Sequence, residues 1–311
     1  MSSASNAGAI DIVVNPFTAT EIEKRQNGFD ANFMEQIRMP EELRGGVSIE
    51  QYAGIMDEAG VDHSLLIAVR AGGRQMKYSI EIPYEQVADY CTRMPTRYSG
   101  LAGVDPWLGM EQLRDLEYAV KELGFVGAHC YPHWFRLPPD AAQWYPIYAK
   151  CCELDIPIMM QVGQNLIYQK DVRLPSVARP ILLDQIAIDF PELRLIGIHV
   201  GTPWADEMIA MAWKHENVFI GIDAYAPKHL PQSLVHYMNS YGSSKVLFGT
   251  DWPVIDPRRA MKEVADYNLR PDALQRVLRD NALHVFPPLA DRMAGTVSGT
   301  TSGTIAGTGT D

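Results

Sequence analysis

The stretch "LRLIGIHVG" (193–201) decides how this chain is read. Leu195, Ile196 and Ile198 form a short apolar run, and the run ends on one polar side chain, His199. A brief, continuous apolar segment of this kind suits a strand buried on both faces. Just before it, "RPILLDQIAIDFPEL" (179–193) spaces its apolar residues three and four apart, as an amphipathic helix does. Helix followed by buried strand is the repeating unit of a parallel α/β sheet. Seven more runs of the same type occur: "IDIVVN" (10–15), "HSLLIAV" (63–69), "YSGLAGVD" (98–105), "FVGAHCY" (125–131), "IPIMMQVG" (156–163), "NVFIGIDAY" (217–225) and "KVLFGTDWP" (245–253).

Helical sequence separates these runs, for example "MEQLRDLEYAVKELG" (110–124), with Gly124 placed as a C-terminal stop. Eight buried strands, each followed by helical sequence, predict an α/β fold of the (β/α)8 TIM-barrel class in a single domain. A doubly wound open sheet is the competing architecture, but no G-x-G-x-x-G follows any strand, so its dinucleotide-binding form is disfavoured. The barrel is expected over residues 9–288. Residues 1–8 read as a flexible start, and 289–311, rich in Gly, Ser and Thr, as a disordered tail. The long connection 16–60 is expected to hold extra helices or a lid.

The chain has 311 residues, with 27 basic against 38 acidic and a formal net charge of −11. This balance disfavours nucleic acid or an anionic membrane as partner. No stretch reaches the ~18 consecutive apolar residues of a membrane helix, and the first residues lack a signal peptide's pattern. The four cysteines include no C-x-x-C pair and read as reduced, buried thiols, so a cytoplasmic location is expected. The fold class is compatible with a homodimer, and a small molecule is the expected partner.

Chemistry in such barrels gathers at the C-terminal strand ends. Those ends present Asn15, Arg70, Asp105, His129 and Tyr131 with His133 nearby, Gln161, His199, Asp223 with Tyr225, and Asp251 with Trp252. Each has a plainer reading. Asp251 can cap a turn, and His199 can be a satisfied core histidine. His129 and His133 sit in a sequence aromatic enough for simple packing, Asp105 precedes a proline turn, and Arg70 can be solvated. Along "AIDIVVNPFT" (9–18), strand alternation puts Asp11, Val13 and Asn15 on one face.

With these residues assembled, the chain resembles the amidohydrolase-2 branch of the amidohydrolase superfamily. That branch includes aminocarboxymuconate-semialdehyde decarboxylase and 2-pyrone-4,6-dicarboxylate lactonase. The resemblance rests on "LIGIHVGTPWADE" (195–207), "VLFGTDWPV" (246–254), "LRDNALHVF" (278–286) and "GFVGAHCYP" (124–132). It implies a divalent-metal site built from two strand-one ligands, a strand-five His, a strand-six His and a strand-eight Asp. His199 and Asp251 match the last two. Val13, Asn15 and Gln161 stand where the other three ligands would be.

Two matching ligands cannot hold a tight catalytic zinc, which needs about three, so no metal and no cofactor are expected, a divalent ion such as zinc being the alternative. The leading expectation is a metal-independent hydrolase of a lactone or activated ester of a small cyclic or aromatic acid. Asp251 would act as base and His199 as acid/base, with His129, Asn15 and Gln161 as hydrogen-bond donors. Arg70 or Arg74 would bind a carboxylate, and Tyr131, His133, Trp204, Tyr225 and Trp252 would contact the substrate. The alternatives are a non-oxidative decarboxylase or hydratase of a cyclic or aromatic carboxylic acid, and a ligand-binding protein without catalysis.

Overall fold

The computed structural model describes residues 8–73, 79–165 and 173–295. Eight parallel strands lie in sequential order: β1 Ala9–Val14, β2 Val61–Ala68, β3 Tyr98–Gly103, β4 Gly127–Cys130, β5 Ile158–Gln161, β6 Leu195–Ile198, β7 Val218–Gly221 and β8 Val246–Leu247. Every residue of β1, β3, β4, β6 and β7 is buried, because helices cover the outside while side chains fill the inside. The expected single-domain (β/α)8 barrel is the fold observed.

Local sequence sets the helix limits. The helix Ile49–Ala59 starts at Ser48, whose hydroxyl accepts the Gln51 N–H at 3.2 Å while the Gln51 side chain accepts the Ser48 N–H at 2.8 Å. It ends at Gly60, where φ is 74°. Tyr52, Ala53 and Met56 carry its buried face against the barrel.

The barrel closes between its first and last strands. Ile12 N–H donates to Phe248 O at 3.1 Å, Asp251 N–H to Val13 O at 2.9 Å, and Asn15 N–H to Trp252 O at 2.9 Å. The buried carboxylate of Asp11 reinforces this seam. It accepts from Thr250 N–H at 3.0 Å, from the Thr250 hydroxyl at 2.6 Å and from Val13 N–H at 3.2 Å. Pairing of β1 with β2 shifts register between Asp11 and Val14. Strict alternation along residues 11–15 therefore fails, and Asp11 joins the seam while Asn15 faces the cavity described below.

The connection 16–60 contains the helices Ala19–Glu23 and Ala31–Gln36, and part of it covers the C-terminal mouth of the barrel. At the other end the chain stays ordered past the expected boundary at 288. The helix Pro288–Met293 buries Leu289 completely, and Arg292 donates to Gly124 O, which a composition reading of small residues does not reveal. Arg74, residues 1–7 and most of the tail lie outside the described residues, as does the 166–172 part of the loop after β5. Among the described residues no helix is long and apolar enough to cross a membrane.

His63 on β2 is fully buried. Its Nδ1 lies 2.9 Å from Thr96 O and its Nε2 2.9 Å from Ser99 Oγ. A carbonyl can only accept, so Nδ1 carries the proton and Nε2 accepts from Ser99. Burial pushes the imidazole down to about 4. The unfolded chain thus binds a proton near pH 6.5 that the fold refuses until about pH 4, and this contribution to stability is lost as pH falls through that window. Asp11 runs the other way over a similar range, since burial raises its carboxyl to about 7. A comparison with His63→Gln isolates the histidine. We expect the stability gap between wild type and this variant, measured by urea unfolding, to narrow by about 3 kcal/mol between pH 6.5 and pH 4. A gap independent of pH would refute the assignment.

Candidate active site

Three successive strand ends deliver the polar core of the site. β6 leads into His199, β7 into Asp223 and β8 into Asp251. Each turn bends through the left-handed region: φ is 66° at His199, 65° at Ala224 and 56° at Asp251. Non-glycine residues adopt this conformation at a cost of roughly 1–2 kcal/mol each, and such strain concentrates at functional sites.

Each carboxylate here has one oxygen engaged and one free. Asp223 Oδ1 accepts the backbone N–H of His199 at 2.9 Å. Asp251 Oδ1 accepts Asn15 Nδ2 at 2.7 Å, and the same amide donates to Trp252 O at 2.9 Å. The remaining oxygens turn toward His199 Nε2, with Asp223 Oδ2 at 3.3 Å and Asp251 Oδ2 at 3.7 Å. Ligand atoms of all three residues lie within 4.8 Å of one another.

Neither His199 Nε2 nor Asp223 Oδ2 has a hydrogen-bond partner among the described residues, although both are buried. Burial pushes the His199 imidazole down to about 4, so it is neutral at physiological pH with a lone pair to offer. Burial raises the Asp223 carboxyl to about 7, and burial with the charge of Asp223 holds Asp251 well above the ordinary carboxylate range. The buried Asp223 and the partly exposed Asp251 crowd their carboxyls around one neutral imidazole, which disfavours charge on both, and a cation among them would favour their charged forms. One imidazole and two carboxylates are a donor set that suits a divalent metal such as manganese. The residues present fit the group.

Above this cluster lies a cavity of about 240 Å³. Asn15, Tyr131, Gln161, His199 and Asp251, five of the residues named at the strand ends, line it from the barrel. Phe29, Phe33 and Ile37 from the 16–60 connection and Trp134 after β4 make much of the wall apolar. Sequence reasoning did not single out the residues of that connection, because a long loop carries no signal of where it folds back. Asp223 was noted at its strand end but not as a third donor.

Other expected contacts are elsewhere. Arg70 is held away from this cavity by Asp115 at 2.8 Å, Gln112 at 3.0 Å and Glu81 at 3.6 Å, with its guanidinium 4.4 Å from the Tyr84 ring centre. It is therefore part of an ion network, and its expected role as a carboxylate anchor is withdrawn. Trp252 packs into the core on Tyr52 at 4.8 Å, and Trp204 lies under Arg179 at 5.0 Å. The Tyr225 hydroxyl pairs with Gln164 and Thr202. None of these three is among the residues lining the cavity.

His129 stands one layer below Tyr131, with ring centres 4.3 Å apart. It is fully buried, and neither nitrogen has a partner among the described residues. Burial and His199 push it down to about 3. His133 Nδ1 accepts the N–H of Val177 at 3.2 Å, and burial pushes that ring down to about 4. Neither histidine is among the cavity-lining residues.

Residues 71–287 match the amidohydrolase family model. The gamma-resorcylate decarboxylase of Rhodococcus jostii is 25% identical over 54% of this chain and 64% of its own length. The 2-keto-4-carboxy-3-hexenedioate hydratase of a Sphingobium species is 30% identical over 40% of this chain and 42% of its own. The chain thus spans less than two thirds of the length of these curated relatives. Among solved structures, an uncharacterised TIM-barrel protein from Bordetella bronchiseptica superposes with a TM-score of 0.74 at 21% identity, covering 91% of this chain and 99% of that one. A dihydroxybenzoic acid decarboxylase from a Polaromonas species, with bound manganese, gives a TM-score of 0.65 at 21% identity, covering 90% and 97%.

These findings correct two expectations. The expectation of a site without metal is overturned by the neighbour with bound manganese, together with the convergent trio. Its error was physical: it counted two candidate donors, whereas the adjacency of β6, β7 and β8 brings a third, Asp223, within 4.8 Å of both. The relatives also favour the decarboxylase or hydratase alternative over a lactone hydrolase, and they support an enzyme over a binding protein.

The strain at this site is measurable. Ala224→Gly removes the left-handed penalty of a β-carbon at φ 65° while adding unfolded-chain entropy. We expect a net gain of roughly 0.5–1 kcal/mol in thermal unfolding. A loss of stability would show that the Ala224 methyl contributes more by packing than it costs in strain.

Proposed function

The chain belongs to the amidohydrolase family, and on that premise we propose that it is a lyase: a non-oxidative decarboxylase of a small aromatic carboxylic acid, dependent on a divalent metal. The observation that carries this reading is the convergence of His199, Asp223 and Asp251 at the floor of an aromatic-walled cavity. These three residues would hold the metal, which when bound polarises substrate oxygens and offsets developing negative charge.

The protein's own residues do the rest. The rings of Phe29, Phe33, Tyr131 and Trp134 bind a planar substrate and exclude water, which disfavours the charged carboxylate relative to neutral carbon dioxide. The bond between ring carbon and carboxyl carbon breaks, its electron pair stays on the ring carbon, and that carbon takes up a proton. In our reading that proton is the acidic one the substrate itself brings, since His199 Nε2 and Asp251 Oδ2, the atoms that would hold the metal, have none to give. Gln161 offers a donor and an acceptor to a polar ring substituent.

Hydration of an unsaturated carboxylic acid is the second reading, favoured by the 30% identity with the hydratase. Carbon dioxide release from a panel of hydroxylated benzoic acids, with manganese added, separates the two. Water addition to an unsaturated acid without carbon dioxide release would overturn the first reading.

Two variants test the assigned residues. Asp223→Asn removes one charge from the trio, and we expect kcat/KM to fall by about 100-fold or more. Activity within a few-fold of wild type would remove Asp223 from the site. Gln161→Leu should raise KM by roughly tenfold, the loss of one or two hydrogen bonds, with kcat changed less. An unchanged KM would mean that this amide does not touch the substrate.

A further inference from the structure

We propose that Asn15 is a positioning residue for the metal site: its Nδ2 holds Asp251 Oδ1 so that Oδ2 turns to meet His199 and Asp223. The inference rests on the metal reading given above. An aspartate carboxylate has two equivalent oxygens and a broad terminal torsion, so either oxygen can face a given point. Here the choice is fixed. Asn15 Nδ2 spends one hydrogen on Asp251 Oδ1 at 2.7 Å and the other on Trp252 O at 2.9 Å. Its backbone N–H reaches Trp252 O at 2.9 Å, and Asp251 N–H reaches Val13 O at the same distance.

Asn15 is therefore anchored to the segment whose carboxylate it orients, and it is only 7% exposed. Its chemistry suits the task. A carboxylate at this position would put a third negative charge beside Asp223 and Asp251, and a hydrocarbon would leave a part-buried carboxylate oxygen without its donor. A neutral amide with two hydrogens satisfies both acceptors and adds no charge. Partners that orient a metal ligand in this way typically contribute 10–100-fold to metal affinity.

The test is Mn2+ binding by full-length protein stripped of metal, followed by the electron paramagnetic resonance signal of free Mn2+. Asn15→Leu should raise the Kd for Mn2+ by about 10–100-fold. Asn15→Ser, polar but too short to reach Asp251, should do the same and serves if the leucine variant does not fold. Thr250→Val loosens the same seam at Asp11 without touching the Asp251 carboxylate. It should lower Tm and leave Kd within about threefold of wild type, a much smaller change than loss of an orienting partner gives. Both Asn15 variants binding Mn2+ as tightly as wild type would overturn the inference alone. Equal weakening in Thr250→Val would also overturn it, by assigning the effect to the seam. Wild-type protein that binds no Mn2+ would overturn the metal reading and this inference with it.

Discussion

A parallel barrel exists only if its last strand finds its first, and here that meeting is organised around one buried carboxylate. Asp11 accepts the backbone and hydroxyl protons of Thr250, and Thr250 Oγ1 accepts the N–H of Trp252 at 3.1 Å. The two regularly paired residues of β8 pair with β7, and between β8 and β1 there is only the isolated pairing of Val14 with Trp252 and a few backbone hydrogen bonds, so the seam is tied lightly by backbone alone. Burying a carboxylate is costly, as the upward displacement of Asp11 to about 7 reflects, and its hydrogen bonds offset that cost. The junction lies next to the site: Thr250 adjoins Asp251, and the bulged end of β1 supplies Asn15. Closing the barrel and setting the carboxylate thus use the same few residues.

The site is unfavourable in several respects at once. Three strand ends are held in left-handed conformations, and two carboxylates and an imidazole point their free atoms at one another. Stability lost here is recovered in the surrounding barrel, whose interior is filled by buried aliphatic and aromatic side chains. The same low-polarity surroundings strengthen every electrostatic interaction at the cavity floor. A surface site with these residues would be screened by water and would have little reason to select a cation.

How much of this was legible depends on whether neighbours in sequence or neighbours in space decide the matter. The strands were legible because a strand covered on both faces must be apolar throughout, and "LRLIGIHVG" is such a segment. Asn15, Tyr131, Gln161, His199 and Asp251 were legible as cavity residues because a polar side chain ending an apolar strand has one place to go in a barrel. Arg70 met the same test and failed it. Its guanidinium goes to Asp115 and Gln112, more than forty positions away, and no local pattern announces that choice.

By itself, then, the sequence determined the barrel, its strand order and the set of polar residues at its mouth, because those follow from periodic burial along the chain. Tertiary structure alone decided which of them work together. His199, Asp223 and Asp251 are separated by 24 and 28 positions, and they become three donors within 4.8 Å only because strands β6, β7 and β8 lie side by side. The register shift in β1 likewise decided that Asp11 would close the barrel and Asn15 would hold Asp251. A distance between strand ends is a property of the closed sheet, and one chain read in line does not contain it.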